Sequence, residues 1–119
     1  MKTASMQTYT DSPLWNAELN RKMWELYLRD GDCGTPEYAA PKLARDFSDL
    51  PPAYVEVEEF DCLRDEGVAY AQALEAAGVE VQLEDVFGTF HGFDFFTDKE
   101  ISKAMVQKRL QVLRRAFRL

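Results

Sequence analysis

An aspartate and a histidine, Asp61 and His91, are the residues of this 119-residue chain whose types and spacing predict chemistry. His91 is the only histidine in the sequence. A histidine acts as a general base when a carboxylate bonds to one ring nitrogen, because the carboxylate fixes the tautomer and stabilises the imidazolium that forms. Asp61 is placed to do this for His91 if the fold brings the two together. We therefore take Asp61 and His91 as the candidate catalytic residues.

Other interpretations of these two residues stay open at this point. An aspartate after a strand is commonly a helix cap, and a histidine beside Phe90 and Phe93 is commonly a packed aromatic. His91 could also act with a nearby acid such as Asp94 or Glu84, for example through a metal. One histidine and two distant cysteines make a poor ligand set, however, so we predict no metal and no cofactor.

The elements that must position the pair follow from hydrophobic periodicity. Residues 53–60 and 79–86 alternate apolar and polar side chains and predict two strands. Between them, apolar residues at helical spacing predict a helix over 64–77, which Gly78 ends. A crossover of this length favours a parallel pair of strands with a right-handed connection. Asp61 and His91 would then lie at one edge of the sheet, where open α/β sheets build their sites.

The flanking segments are predicted to be two helices and two irregular stretches. Residues 1–17 are polar and predict an irregular N-terminal segment, followed by a helix over roughly 17–29. Residues 30–52 are rich in glycine and proline and predict a long loop, with a short turn around 42–47. An apolar stripe predicts a last helix from about 99 to 117. The whole chain is expected to form one partial domain, 1–119, with 1–52 leading into 53–119.

The composition excludes several classes of protein. A net charge of -7 argues against a nucleic-acid partner, and no apolar run is long enough to span a membrane. The N-terminus lacks an apolar signal region, so we expect the cytoplasm. The two cysteines, Cys33 and Cys62, are expected to be buried or half-buried free thiols. The last helix is basic, which indicates either a solvated face or, less commonly, a site for an anionic partner.

Two motifs carry a resemblance to a known family. Residues 50–54 (LPPAY) and 59–67 (EFDCLRDEG) resemble the acid-bearing segment of the hormone-sensitive-lipase-like esterases, in which LPP and a strand precede D-x-L-R-D-E-G. Residues 88–93 (GTFHGF) resemble that family's G-x-x-H-G-F loop, which carries its catalytic histidine. Residues 11–16 and the Met23-Trp24 helix look like the stretch that leads into this part in acetyl-esterase-type members. The resemblance covers roughly residues 11–117.

The resemblance implies a fold class and a function. The fold would be the C-terminal portion of an α/β hydrolase, a βαβ unit with flanking helices and without the N-terminal strands. Asp61 matches the triad acid and His91 the triad histidine. Asp65 matches the second acid of the motif, which we interpret as a residue of the first helical turn. Ester hydrolysis is implied for an intact enzyme, with a small carboxylic ester as substrate.

The chain departs from the family at the nucleophile. The family's serine lies in G-x-S-x-G, upstream of the acid and histidine. None of the four serines in this sequence has a glycine two residues away on both sides, and no His-Gly-Gly motif exists. Cys62 is a poor substitute, because a neighbouring carboxylate raises the pKa of a thiol. We expect a fragment or truncated form of a serine esterase that is inactive alone.

Two further expectations concern partners and the pocket. Without upstream strands, the strand at 53–58 would have an unpaired edge, so the chain is also consistent with a non-catalytic module that forms homo-oligomers. Leu14, Trp15, Met23 and Trp24 are candidates to line an acyl or alcohol pocket, although packing between helices is the commoner role for such residues.

Overall fold

A two-stranded parallel sheet lies between helices on its two faces. The computed structural model describes residues 2–118. Strands β1 (Ala53–Glu58) and β2 (Val81–Val86) pair in parallel, from Ala53 opposite Val81 to Glu58 opposite Val86. The predicted parallel pair of strands is confirmed.

Five α-helices and two short 3-10 turns surround this sheet within residues 2–118. They are α1 (Ala4–Thr8), α2 (Ala17–Tyr27), α3 (Pro36–Ala39), α4 (Arg64–Ala76) and α5 (Glu100–Phe117), with 3-10 turns at Pro41–Leu43 and Phe93–Phe95. The predicted helices at 17–29, 64–77 and 99–117 are present with bounds that differ by one or two residues. No helix in the described part of the chain is long and apolar enough to cross a bilayer.

Helix α4 covers one face of the sheet and α5 covers the other. On the α4 face, Gly67 lies directly against the buried side chain of Val57. On the α5 face, Met105 packs with Val86 and Phe93 in an apolar cluster. The alternation of side chains along each strand separates the two sets, because neighbouring residues point to opposite faces.

The N-terminal segment is not wholly irregular, which corrects the prediction for residues 1–17. Helix α1 forms there, with the side chain of Thr3 accepting a hydrogen bond from the N–H of Met6. Ser5 then fixes α1 to the rest of the molecule, since its hydroxyl donates to the carbonyl of Cys62 at 2.9 Å. A five-residue helix has little stability of its own. These tertiary contacts stabilise α1 in its position, and they cannot be recognised from the sequence pattern.

The long segment before β1 also differs from the prediction. It contains α3 and the 3-10 turn at Pro41–Leu43, so the ordered part begins earlier than the turn expected around 42–47. Proline at the first position favours each of these turns, because its fixed φ suits a helix start. Cys33 lies in this segment and is exposed, which corrects the expectation that both thiols would be buried; Cys62 is buried.

Candidate active site

Two loops that follow the strands form the base of the site. Glu59 and Phe60 follow β1, and residues 87–92 follow β2. The N–H of Phe60 donates to the carbonyl of Thr89 at 2.9 Å, and the N–H of Gly88 donates to the Glu59 carboxylate at 2.7 Å. The hydrogen bonding of the sheet therefore continues past the strand ends. It holds the Asp61 loop and the His91 loop at a fixed separation.

Asp61 and His91 meet at this edge of the sheet. The Nδ1 atom of His91 donates to Oδ2 of Asp61 at 2.8 Å. The other carboxylate oxygen of Asp61 accepts the N–H of Leu63 at 2.8 Å. Asp61 is 3% exposed, whereas the side chain of His91 is 43% exposed. The acid is thus fixed from two sides and the imidazole keeps one open face.

The electrostatics of the pair favour an ionised aspartate. Burial of Asp61 opposes ionisation, but hydrogen bonds from His91 and from the Leu63 N–H outweigh it and hold the pKa of Asp61 below its ordinary value. The hydrogen bond to Asp61 is the main reason that the pKa of His91 lies above 6.5, although partial burial acts in the opposite direction. With Nδ1 engaged by Asp61, the Nε2 atom of His91 is left to accept or release a proton.

A third ionisable residue, Glu58, lies beside this pair and was not singled out from the sequence. The donor atoms of Glu58, Asp61 and His91 all lie within 4.8 Å of one another. Burial and the charge of Asp61 raise the pKa of Glu58 to about 7. A metal ion here would have to displace the hydrogen bond between Asp61 and His91.

The wall beside the imidazole comes from the segment before α2. The ring of Trp15 lies 6.0 Å from the ring of His91, at a tilt of 37°. Leu14 approaches Gly92, where an added Cβ would lie 3.3 Å from Leu14 and 3.2 Å from Phe95. Gly92 also has a φ of +77°, which favours glycine. Of the four residues expected near a pocket, Leu14 and Trp15 thus lie at the His91 loop.

An open cavity of about 550 Å³ adjoins the site. Glu58, Asp61 and His91 line it, together with Phe95 and the start of α4. Seven of its twelve lining residues are ionisable, so the acid–histidine pair borders a hollow with many charged groups.

The other candidate residues have structural contacts. Asp65 lies in the first turn of α4, as expected, and accepts the N–H of Ser5 at 2.9 Å. Burial, and then the charge of Asp61, raise the pKa of Cys62 to about 12, so its thiol is a weak nucleophile. Asp94 forms an ion pair with Arg109, and Glu84 with Lys108. Neither of these acids is paired with His91.

Known proteins resemble this chain in sequence and in structure. The family model for the α/β hydrolase fold matches residues 1–95. The chain belongs to the α/β hydrolase family. Esterase LipI of Mycobacterium tuberculosis is 33% identical over 90 residues, which are 75% of this chain and 28% of LipI. Carboxylic ester hydrolase LipN of the same organism is 47% identical over 68 residues, which are 56% of this chain and 18% of LipN.

Solved structures give the same assignment for this α/β hydrolase. A bacterial heroin esterase superposes with a TM-score of 0.87 and 38% identity, over 96% of this chain and 38% of that one. Esterase LipW from Mycobacterium marinum superposes with a TM-score of 0.89 and 31% identity, over 97% of this chain and 36% of that one. The resemblance to hormone-sensitive-lipase-like hydrolases is thereby confirmed. The chain spans well under half the length of these relatives.

Proposed function

We propose that this chain supplies the acid and the base of a serine carboxylesterase that acts on small carboxylic esters. Asp61 orients His91, and His91 removes the proton from a serine hydroxyl and later gives it to the leaving alcohol. The observation that carries the proposal is the 2.8 Å hydrogen bond between buried Asp61 and half-exposed His91. The relatives named above are esterases, which supports the substrate class.

The serine itself would come from residues outside this chain. The hydroxyls of Ser5, Ser12 and Ser102 donate to the carbonyls of Cys62, Phe60 and Phe93, respectively. Ser48, the fourth serine, lies in the segment before β1, next to Asp46. None of the four has the flanking glycines of a nucleophile elbow. We therefore propose that residues 1–119 are one part of a hydrolase domain. Separately, we propose a cytoplasmic location.

A chimera tests the proposed function directly. The matched 38% of the heroin esterase is replaced by this chain, and hydrolysis of p-nitrophenyl acetate is measured. We expect turnover that falls by at least about a hundredfold in His91→Ala, in keeping with the usual contribution of a general base. Asp98→Asn is the matched control, because Asp98 is an exposed acid that pairs with Lys99. A folded chimera whose turnover is unchanged by His91→Ala would contradict the proposal.

The isolated chain provides the complementary experiment. Without a nucleophile elbow, it should not hydrolyse p-nitrophenyl acetate above the buffer rate, and a fluorophosphonate should leave the mass of the protein unchanged. Turnover that disappears in His91→Ala would show only that His91 takes part, because an imidazole attacks an activated ester by itself. A fluorophosphonate adduct on a serine would show that one of the four serines serves as the nucleophile.

A second candidate function is that of a non-catalytic module that assembles through its sheet. Within residues 2–118 the sheet has two strands, so β1 pairs only with β2 and its other edge is open. An open edge is a template for pairing with another strand. This candidate predicts homo-oligomers that form through the open edge of β1. The esterase proposal predicts that this edge pairs with a strand from the rest of the hydrolase domain.

A further inference from the structure

Glu58 occupies a position that its neighbours make unusual. It is the last residue of β1 and points to the same face as Glu56. Glu56 forms an ion pair with Arg109 of α5. Among the described residues, no arginine or lysine forms an ion pair with Glu58. A half-buried acid is thus left with another acid, Asp61, and with His91 as its polar neighbours.

The charged groups around Glu58 come from every element packed against it. Glu56, Asp61 and His91 act on Glu58 directly. Arg64 and Glu66 of α4 and Asp94 of the 3-10 turn line the same cavity, and Arg109 of α5 pairs with Glu56 and Asp94. Arg109 is engaged by Glu56 and Asp94, and Arg64 by Asp85. The nearby cations are therefore already paired with other acids, and Asp61 and Glu58 lie side by side.

The oxygen atoms of these two carboxyl groups lie within 4.8 Å of each other, so repulsion favours a proton on one of them below about pH 7. Asp61 is kept ionised by hydrogen bonds from His91 and Leu63, which leaves the proton on Glu58. A protonated Glu58 can donate to Asp61. When Glu58 releases that proton to solvent, a second negative charge appears beside His91.

We propose that Glu58 is a positioning residue that completes a Glu58–Asp61–His91 relay and sets how strongly His91 holds its proton. With Glu58 protonated, its hydrogen bond withdraws charge from Asp61 and His91 releases its proton more easily. With Glu58 ionised, the added charge makes His91 a stronger base. The value of this relay for ester hydrolysis rests on the proposed function, but the relay itself can be tested without turnover.

The test is an NMR titration of the wild-type chain and of Glu58→Gln. His91 is the only histidine, so its ring signals are unambiguous. Glutamine keeps the shape and the hydrogen-bond donor but never ionises. We expect the His91 midpoint to move to lower pH in Glu58→Gln and the curve to become a single step. Glu75→Gln is the matched control, since Glu75 is an exposed acid in the last turn of α4, and it should leave the midpoint unchanged.

A second measurement decides the matter if Glu58→Gln does not fold. The side-chain carboxyl carbon of Glu58 is followed by ¹³C NMR in the wild-type chain. A midpoint near 7 supports the proposal, and a midpoint near the ordinary 4.5 overturns it. An unchanged His91 midpoint in folded Glu58→Gln also overturns it. Both readouts are independent of esterase activity, so failure of the relay and failure of the proposed function can be told apart.

Discussion

At the scale of single residues, the proposed site pairs a buried aspartate with a half-exposed histidine. Asp61 is held by His91 on one oxygen and by the Leu63 N–H on the other, so it cannot rotate away from the imidazole. His91 bonds to Asp61 through Nδ1, and 43% of its side chain is exposed. A fixed acid and an accessible base are what general base catalysis requires.

The pair should make folding stability depend on pH in a defined window. The folded-state pKa of His91 lies above 6.5, so its contribution is complete below that pH and is lost as pH rises through the folded value. The pKa of Asp61 is lowered, so its contribution is lost only in acid, as pH falls through the folded value. Because the His91 side chain is 43% exposed, solvent screening reduces the contribution of the charged pair to about 1 kcal/mol.

Replacing His91 by glutamine tests this window. We expect the melting temperature to fall by roughly 4 °C relative to the wild type at about pH 5.5, and to differ little at about pH 9. The reason is that the imidazolium gains more from the ionised Asp61 than the neutral imidazole, which keeps only its Nδ1 hydrogen bond. Glu75→Gln serves as the control. A difference that is equal at both pH values would show that the pair contributes packing and no charge interaction.

The sequence predicted the site residues that stand in local motifs. It did not predict the residue whose position depends on the pairing register of the two strands. Asp61 and His91 stand directly after strands and in recognisable motifs, so their meeting could be foreseen. Glu58 stands two residues before Phe60 in a run of acids that looks like a solvated strand. Its place in the site depends on the pairing of Glu58 with Val86 and on the ion pair between Arg109 and Glu56. Both contacts join residues that are far apart in the sequence.

At the scale of elements, α4 approaches β1 through a glycine. An ideal Cβ on Gly67 would lie 2.7 Å from Cγ1 of Val57, which is closer than packed carbon atoms come. Val57 is buried, and its branched side chain has little freedom to move away. Gly67 therefore sets the distance between β1, which precedes Asp61, and α4, which follows it.

Gly67→Ala should destabilise the chain despite the better helix propensity of alanine. Overpacking costs typically about 1–3 kcal/mol, and the gain in helix propensity offsets up to about 1 kcal/mol. We expect a net loss of about 1 kcal/mol in urea unfolding. Gln72→Ala, at an exposed position of the same helix, should change stability by less than about 0.5 kcal/mol. Val57→Ala is itself destabilising, but in its background Gly67→Ala should cost less than it does alone; strictly additive losses would argue against the contact.

Helix α5 attaches to the opposite face through charge pairs as well as through the apolar cluster of Met105. Arg109 binds Glu56 and Asp94, Lys108 binds Glu84, and Arg115 donates to Gln82. Much of the basic charge of the last helix therefore serves to hold it on an acidic face of the sheet. Neither of the two interpretations offered from the sequence, a solvated face or an anionic partner, anticipated this.

Arg109→Met should weaken the attachment of α5. The substitution leaves the carboxylates of Glu56 and Asp94 without their cation, and Glu56 is nearly buried. Loss of one partner of a buried pair costs about 3–5 kcal/mol, and the partial exposure of Arg109 reduces this to about 2 kcal/mol. Urea unfolding measures it. Arg114→Met, at an exposed position of the same helix, is the matched control and should be nearly neutral. Equal losses in both variants would contradict the role of Arg109.

At the scale of the whole molecule, the elements with strong periodicity were predictable and the short ones were not. The strands and the helices α2, α4 and α5 follow from patterns that repeat over many residues. Helix α1 depends on Ser5 reaching Cys62, and α3 occupies four residues after Thr35. Such elements form where tertiary contacts supply what their own sequence lacks.

The open edge of β1 follows from the hydrogen bonding of the pair. The N–H groups of Ala53 and Glu59 donate to the carbonyls of Glu80 and Val86 in or next to β2. The alternation of a parallel ladder therefore directs the N–H of Tyr54 away from β2. An edge with free donors and acceptors pairs readily with another strand. In a solution of the isolated chain, the strand available for this pairing is that of a second copy.

We therefore predict that the isolated chain self-associates at micromolar concentration and that Tyr54→Pro makes it more monomeric. Proline removes the outward N–H and is tolerated at a sheet edge, because no bond to β2 is lost. Tyr54→Phe is the matched control: it loses the hydroxyl that donates to Glu56 but keeps the outward N–H, so it should associate like the wild type. Light scattering after size exclusion measures the mass. A wild-type chain that stays monomeric across this range would contradict pairing at the edge, and equal association of all three would place the contact elsewhere.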